Sequence, residues 1–500
     1  MGALTTSWAV LVLFVLIGIV FSGVFQLTQL RIVENIQQEI FAKSSFEFAF
    51  RFPKIKLSNL QNIHTPELAN RFFDTLTIQK NLPKILVDFS LAVFQAFFGL
   101  VLLSVYSPYF LILGVFLVSS IWILFKFTSP KGLSTSILES KFKYIVAHWL
   151  EEVARTYKTF KKFSSYALHL KQTDKKTLEY LEAREKHFGV LVKQFQFFIL
   201  FKVLLAAGLL ILGGLLVYNE QMNIGQFVAA EIIILLIITS TEKLINSIDS
   251  IYDLLTALDK IGNVTDIELD EKRKVDLKDL EVGMTIDISN LSYKGKESEE
   301  YYLKDFSANI KSGSKSTILG DNKVAKSMLV NIITGYLDIK SGAVKLDGVP
   351  IENINKSTLN KQQSIHFSTN ELFEASVLDN ITVGRTISEE RIRQIISLMG
   401  LNLFVSHLPN GLDSIVNPSN YFLSKDVTQK ILLARALVEH SRLYIFEYPF
   451  LYLKQTEKER IIDFMFDDMR ESTVIITTED DYWLSKSEQQ IIITKGGGNA

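Results

Sequence analysis

The chain has 500 residues, a formal net charge of -1 and no cysteine. The balanced charge gives no general attraction for nucleic acid, and the lack of cysteine excludes disulfides, iron–sulfur clusters and thiolate metal sites. This length accommodates a membrane region and one globular domain. The composition changes near Asp266, because long apolar runs precede it and short apolar strands with charged helical segments follow it.

Five uncharged or nearly uncharged runs in the first half have the length and composition of membrane-spanning helices. These runs are Trp8–Leu27, Ile85–Tyr106, Tyr109–Phe125, Val203–Val217 and Gly225–Thr241. The two long connections between them are rich in Lys and Arg, whereas the two short connections contain neither. By the positive-inside rule, the long connections and the domain after the last span lie in the cytoplasm, and the first span starts outside.

The long connections, Arg31–Lys84 and Lys126–Lys193, are mostly compatible with helix. Apolar residues recur in them at intervals of three and four positions, which is typical of an amphipathic helix. This pattern predicts that helices continue from the membrane into the cytosol and bend there, at Ser58–Glu67 and Ala154–Lys162. The alternative is that these segments are charged, solvated loops.

Two ionisable residues lie at membrane depth. Glu231 is about two helical turns inside the last span, and Lys202 lies near the inner end of the fourth span. An ionisable group in a membrane is a hypothesis about a polar pathway, and Glu231 would favour a cationic or peptide cargo. For Lys202, the alternative is that its ammonium group reaches the inner membrane interface.

The order of strand, loop and helix around Gly320–Ser327 is the context of a P-loop. The apolar run Ser316–Leu319 precedes the loop, and an apolar-periodic segment from Met328 to Thr334 follows it. The loop keeps the first glycine, the lysine and the hydroxyl of the pattern G-x-x-x-x-G-K-[ST], but Ala325 replaces the second glycine. The predicted phosphate-binding residues are Gly320, Asp321, Asn322, Lys323, Val324, Ala325, Lys326, Ser327 and Met328.

Beyond a charged linker at 266–280, further motifs follow the P-loop in a fixed order. These motifs are Leu408–Asp413, Leu423–Val427, Ala434–Leu437 and Leu443–Glu447. In order and spacing they resemble the ATP-binding cassette (ABC) transporters, specifically exporter half-transporters in which a membrane domain precedes one nucleotide-binding domain. The resemblance covers nearly the whole chain. It implies a multi-domain membrane protein, with an all-α transmembrane domain at 1–265 and an α/β P-loop nucleotide-binding domain at 281–500.

The resemblance also implies six membrane helices per half, a dimer, and two ATP molecules held between the P-loop of one subunit and the signature motif of the other. The chain departs from this pattern at both ends. Its first span resembles the second helix of the family, and its tail stops soon after Lys495–Gly498. We therefore expect both ends to be shorter than the family pattern.

The positions that carry catalysis in this family are altered. Tyr448 occupies the position of the catalytic glutamate, and Glu479 occupies that of the switch histidine. A phenol with an ordinary pKa of about 10 is a poor general base near neutral pH. Glu479 would bring a negative charge toward the γ-phosphate. No intact catalytic residue is therefore predicted.

Other positions keep the capacity to bind nucleotide and metal. Lys326 can contact the β- and γ-phosphates, and the hydroxyl of Ser327 can ligate Mg²⁺. By the resemblance, Glu447 replaces an aspartate that holds Mg²⁺, and Ser368 replaces a glutamine that senses it. The predicted metal-binding residues are Ser327, Glu447 and Ser368.

The signature motif and the adenine contact are also implied by the resemblance. In the signature, Lys425 and Asp426 replace two glycines, so Ser424 remains as the donor toward the phosphate of a partner subunit. Tyr293 aligns with the tyrosine that stacks on adenine. The alternative is that Tyr293 is a residue of the strand core.

Together these positions lead to the hypothesis that the chain binds ATP and Mg²⁺ but does not hydrolyse ATP by itself. It would be one subunit of an exporter, paired as a homo- or heterodimer with a second half-transporter in the lipid bilayer of the inner or cytoplasmic membrane. One alternative is a pseudo-ATPase that acts as a scaffold or regulator of a membrane secretion assembly. Another is an eroding gene product without function. The sequence does not specify the substrate.

Overall fold

The computed structural model describes residues 6–60, 65–270, 275–294, 301–418 and 423–494. The chain divides into two compact units, which are Met1–Ile55 with Asn62–Leu269, and Lys56–Gln61 with Asp270–Ala500. Parts of the predicted linker at 266–280 and of the predicted bend at Ser58–Glu67 lie outside the described residues, as does the tail at Lys495–Gly498.

The first half of the chain is helical. Its helices are α1 (Thr6–Arg51), α2 (Leu57–Leu60), α3 (Thr65–Asn70), α4 (Asp74–Pro83), α5 (Ser90–Tyr106), α6 (Pro108–Arg155), α7 (Tyr157–Lys162), α8 (Leu168–Tyr218), α9 (Ile224–Asn246) and α10 (Ile248–Thr265). Within the described residues, five helical stretches are long and apolar enough to cross a membrane. They contain the five runs predicted from the sequence, so all five runs are confirmed as parts of long apolar helices.

The helices are much longer than a bilayer requires. Helix α6 has 48 residues, which at 1.5 Å per residue gives about 72 Å, against about 30 Å for the hydrocarbon core. It breaks at Thr156 and is followed by the short helix α7, so the bend predicted at Ala154–Lys162 is confirmed and the loop alternative is wrong there. The helix starts again at Leu168, after Ala167 in a left-handed conformation.

A cluster of buried apolar side chains holds the spans together. It includes Leu103 of α5, Phe110 of α6, Phe198 and Leu205 of α8, and Ile234 of α9. All five side chains are 2% exposed or less, so the four helices share one packed core at membrane depth.

The two ionisable residues at membrane depth have different surroundings. The ammonium group of Lys202 lies 2.9 Å from a carboxylate oxygen of Glu242 and 4.9 Å from the ring centre of Phe198. Glu231 is exposed on α9. The proposed roles of both residues stay predictions.

The second half contains strands and helices in alternation. The strands are β1 (Ile286–Lys294), β2 (Tyr301–Ile310), β3 (Lys315–Leu319), β4 (Ser341–Leu346), β5 (Val349–Pro350), β6 (Gln363–His366), β7 (Ala375–Ser376), β8 (Ile415–Val416), β9 (Leu443–Glu447), β10 (Thr473–Thr477) and β11 (Gln489–Ile492). The helices are α11 (Lys323–Ile333), α12 (Lys356–Gln362), α13 (Val377–Thr382), α14 (Glu389–Met399), α15 (Asn402–Ser406), α16 (Lys425–Leu437), α17 (Gln455–Asp468) and α18 (Asp481–Lys486).

Two sheets organise this half. The first has the order β2-β1-β4-β5 and is antiparallel, and the second has the order β11-β3-β10-β9-β6 and is parallel. The inner strands β9 and β10 are buried at every position, as expected for a parallel sheet covered on both faces. A helical membrane domain followed by an α/β P-loop domain is the predicted fold class, which is confirmed.

Candidate phosphate-binding site

The candidate site lies at one edge of the parallel sheet. In register, Thr477 of β10 pairs with Ile318 of β3 on one side and with Glu447 of β9 on the other. The chain leaves all three parallel strands at this edge, and ligands of α/β sheets bind at the carboxyl ends of the strands. The P-loop, Tyr448 and Glu479 therefore come together although the sequence separates them widely.

The P-loop begins at a glycine that no other residue can replace. Gly320 has a φ of +139°, and a β-carbon at this position would lie 2.4 Å from the carbonyl oxygen of Ile493. This is a close approach of two backbone segments in a conformation that favours glycine. The retained first glycine of the motif is therefore required by the sheet, independently of any nucleotide.

Helix α11 begins at Lys323, five residues before the apolar-periodic segment that starts at Met328. The side-chain oxygen of Asn322 accepts a 3.1 Å hydrogen bond from the amide of Ala325 and so caps the helix. The sequence analysis missed this cap, although an asparagine just before a helix is a recognisable signal. One of the amides that would cradle a phosphate is consequently bonded within the chain.

The structure changes the roles expected of two P-loop residues. The side chain of Ala325 is wholly buried in the core cluster beneath the sheet, and Met328 packs against the same cluster. Both residues can contribute to a phosphate site only through their backbone, and the amide of Ala325 is already bonded. By contrast, the side chains of Asp321, Lys323 and Val324 are exposed.

Lys326 is the central cation of the site. Its side chain is 2% exposed, and its ammonium group lies 3.8 Å from a carboxylate oxygen of Glu479. The same ammonium group lies 5.3 Å from the ring centre of Tyr448. An ammonium group so far out of water needs a compensating anion, so the position fits a phosphate group and is at present faced by Glu479.

Glu447 joins the predicted metal-binding residues. It is 3% exposed at the end of β9 and accepts hydrogen bonds from the hydroxyl of Ser327 and from the hydroxyl and amide of Ser368. One carboxylate and two hydroxyls are hard oxygen ligands of the kind that Mg²⁺ takes together with nucleotide phosphates. Within the described ranges there is no group of three or more His, Cys, Asp or Glu residues that could hold a metal by themselves.

Tyr448 follows Glu447 in a left-handed conformation, with a φ of +47°. Its amide donates hydrogen bonds to the carbonyl oxygen and hydroxyl of Thr477, at 3.0 and 3.1 Å. Its own hydroxyl is buried and has no hydrogen-bond partner in the described part of the chain. The ring therefore fills the space beside the P-loop, and its hydroxyl is withdrawn from solvent.

An open cleft of about 590 Å³ lies beside this edge. Its lining includes Lys323, Tyr448, Lys458, Glu479, Asp480 and Asp481. Asp480 is held in place, because its carboxylate accepts hydrogen bonds from the first amides of α18 and pairs with Lys458 at 3.2 Å. The cleft thus carries three carboxylates and two ammonium groups, and Glu479 is the carboxylate that pairs with Lys326.

The signature segment makes local contacts. Ser424 precedes α16, and a hydrogen bond from its side chain lowers the pKa of Asp426 below the usual value. Lys430 lies 3.6 Å from Asp426 and 2.7 Å from Glu457. The ammonium group of Lys425 lies 5.2 Å from the ring centre of Tyr452. Any role of Ser424 toward a partner subunit stays a prediction.

Tyr293 is 6% exposed and belongs to the core cluster around β1 and β4. This burial fits the strand-core alternative. Adenine stacking by Tyr293 stays a prediction, because it would require the ring to leave that core.

Long apolar helices precede a P-loop domain in this chain. That domain has a buried lysine and an oxygen cluster formed by two serines and one glutamate. These features are typical of nucleotide-binding membrane transport proteins. The family model of the ABC transporter transmembrane region matches residues 3–241, and the family model described as ABC transporter matches residues 303–450. The chain belongs to the ABC transporter family.

Several relatives are similar over part of their length. The chain is 30% identical over 191 residues to the multidrug resistance-like ATP-binding protein MdlB of Buchnera aphidicola, which is 38% of this chain and 33% of that protein. It is 24% identical over 264 residues to the ATP-dependent lipid A-core flippase of Haemophilus influenzae, which is 52% of this chain and 44% of the flippase. The chain thus spans less than half the length of these curated relatives.

A solved structure shows the same fold. The structure of a bacterial Atm1-family ABC exporter with ATP bound has a TM-score of 0.78 to this chain at 16% identity. The likeness covers 96% of this chain and 84% of the exporter chain. At this identity the comparison supports the fold and not a substrate.

Proposed function

We propose that this chain is a subunit of an ABC exporter that binds nucleotide but does not hydrolyse it alone, and that it works in a dimer with a second half-transporter. The observation that carries the proposal is Tyr448, which lies directly after Glu447 where a general base would stand. A phenol is a poor general base near neutral pH, and this hydroxyl is also buried away from the water that it would have to deprotonate.

Other altered groups support the same conclusion. Glu479 faces Lys326, which is the cation that would stabilise charge on the transferred phosphoryl group. Removal of one such stabilising group commonly lowers the rate by about 10²- to 10³-fold. With the base replaced as well, turnover by the chain alone would fall below a physiological rate.

We place the chain in the inner or cytoplasmic membrane with its nucleotide-binding domain in the cytoplasm. The support is the concentration of Lys and Arg in the two long connections. Relatives described as a flippase and as a multidrug resistance-like protein are compatible with export of an amphipathic molecule. The substrate itself is not assigned.

The test uses the full chain reconstituted in liposomes. Phosphate release from Mg·ATP is measured beside Lys326→Ala, which removes the P-loop cation. Equal release by both proteins, at the level of empty liposomes, is the expected result. Release by the wild-type chain that is clearly above that of Lys326→Ala would show that the chain is itself an ATPase and would overturn the proposal.

A second candidate function is a non-hydrolysing scaffold of a membrane assembly, and the signature segment favours it. Asp426 carries a carboxylate where a partner's phosphate would approach, and Lys425 adds bulk beside it. The two functions are distinguished by measuring ATP turnover in a mixture of this chain and a half-transporter that co-purifies with it and has intact motifs. Turnover of the mixture that disappears with the partner's catalytic Glu→Gln variant supports the exporter subunit, whereas a mixture without turnover supports the scaffold.

A further inference from the structure

We propose that Glu479 makes the nucleotide site selective for a nucleoside diphosphate over a triphosphate. This inference rests on the proposed function in that it concerns the same site and assumes that the site binds nucleotide. It goes beyond that function, because it names the resting ligand and the residue that selects it.

The contact between Lys326 and Glu479 is the basis of the selection. A P-loop lysine reaches the β- and γ-phosphates of a bound nucleotide. Here the ammonium group of Lys326 is almost fully buried and lies 3.8 Å from the Glu479 carboxylate. The side of the cation that would receive a γ-phosphate already faces an anion of the chain.

Like charges explain the direction of the effect. A γ-phosphate bound to Lys326 would lie a few ångströms from the Glu479 carboxylate, and two negative charges at that distance repel each other. The neighbouring carboxylate of Asp480 is held by the amides of α18. Lys458 pairs with Asp480 rather than with Glu479, so it does not remove the charge that matters. A diphosphate lacks the group that is repelled.

The remaining contacts treat the two nucleotides alike. Asn322 occupies the amide of Ala325, an amide of the loop that cradles the α- and β-phosphates. Because these phosphates occur in both ADP and ATP, the hydrogen bond of Asn322 lowers the affinity of the site for both nucleotides by a similar factor. Ser327, Glu447 and Ser368 form a separate oxygen cluster that Glu479 does not contact in the described structure.

The test is equilibrium binding of Mg·ADP and Mg·ATP to the full chain in lipid nanodiscs, measured by calorimetry. We expect the wild-type chain to bind ADP about twofold to fivefold more tightly than ATP, a modest ratio because Glu479 is 78% exposed and screened by water. In Glu479→Gln, the affinity for ATP should rise until the two nucleotides bind equally. The affinity for ADP should stay within about twofold of the wild-type value.

Two matched variants control this experiment. Asp481→Asn removes an exposed carboxylate of the same cleft but leaves the pair of Lys326 and Glu479 intact. It should therefore leave the ratio of the ADP and ATP affinities unchanged. Asn322→Gly frees the amide of Ala325 and should tighten ADP and ATP by the same factor. A wild-type chain that binds both nucleotides equally, or binds neither, overturns the inference. Phosphate release measured in the same samples reports separately on the proposed function.

Discussion

Ser368 donates both its amide and its hydroxyl to one carboxylate oxygen of Glu447, at 3.0 and 2.9 Å. The other carboxylate oxygen of Glu447 accepts the hydroxyl of Ser327. A single buried carboxylate thus ties the P-loop to the loop after β6. The residues predicted to bind Mg²⁺ also hold this edge of the sheet together.

We expect Glu447→Ala to lower the free energy of unfolding of the nucleotide-binding domain by about 2–4 kcal/mol, because three donors lose their acceptor in a buried place. Denaturant unfolding can be followed by the fluorescence of Trp483, in a background with Trp8, Trp122 and Trp149 changed to Phe. Asp321→Ala is the control, since it removes an equal charge from the same edge at an exposed position and should change stability by less than about 0.5 kcal/mol. Equal losses in both variants would contradict the role of Glu447.

Replacement of Tyr448 by Glu should not restore hydrolysis. The new carboxylate would be a base, but Glu479 would still face Lys326 and the signature would still carry Lys425 and Asp426. Groups that act as a unit in catalysis are not additive. We expect phosphate release by Tyr448→Glu in liposomes to equal that of the wild-type chain. A rise of about tenfold or more would mean that Tyr448 alone limits hydrolysis by this chain.

His366 gives the domain a pH-dependent stability. It is 3% exposed at the end of β6, and burial lowers its pKa to about 4, with a smaller effect from the charge of Arg435. Because its pKa in an unfolded chain is about 6.5, only the unfolded state binds the proton between these values. Stability is therefore complete above about pH 6.5 and is lost as the pH falls toward 4.

Between pH 7.5 and pH 5, the wild-type domain should lose about 2 kcal/mol more stability than His366→Asn. The Trp483 fluorescence assay measures both proteins at each pH. The exposed His407 serves as the control, and His407→Asn should keep the full pH dependence of the wild-type chain. Parallel pH profiles for the wild-type chain and His366→Asn would show that His366 is not protonated on unfolding.

In the membrane unit, Gly132 of α6 provides space for a side chain of α10. A β-carbon at Gly132 would lie 2.4 Å from the ring of Tyr252, whereas a β-carbon at Gly189 of α8 would meet nothing within 4 Å. We expect Gly132→Ala to destabilise the unit by about 1–3 kcal/mol through overpacking. Gly189→Ala should be neutral or stabilising, because alanine favours helix over glycine. Thermal unfolding of both variants in the same detergent, with retention of monodisperse protein as the readout, compares them directly.

Much of the fold follows from local pattern. Apolar runs such as Ile85–Tyr106 predict spans, and short apolar segments such as Leu443–Phe446 predict buried strands. Both predictions are possible because the length and period of an apolar pattern are visible within a few neighbouring residues. The bend near Thr156 also follows from the length of the helical pattern. The start of α11 does not follow from apolar periodicity, since it depends on the side-chain cap by Asn322.

The sequence by itself determined the order of the elements and the number of long apolar runs, and it predicted that the residues that carry hydrolysis in the family are replaced. Only the tertiary structure decided which groups meet. The pairing of Lys326 with Glu479, and of Ser368 with Glu447, depends on parallel strands whose carboxyl ends lie side by side although their sequence positions are far apart. Burial of Ala325 and Tyr293 in the core depends equally on neighbours from other strands. Such contacts are set by sheet register and packing, which no local sequence pattern encodes.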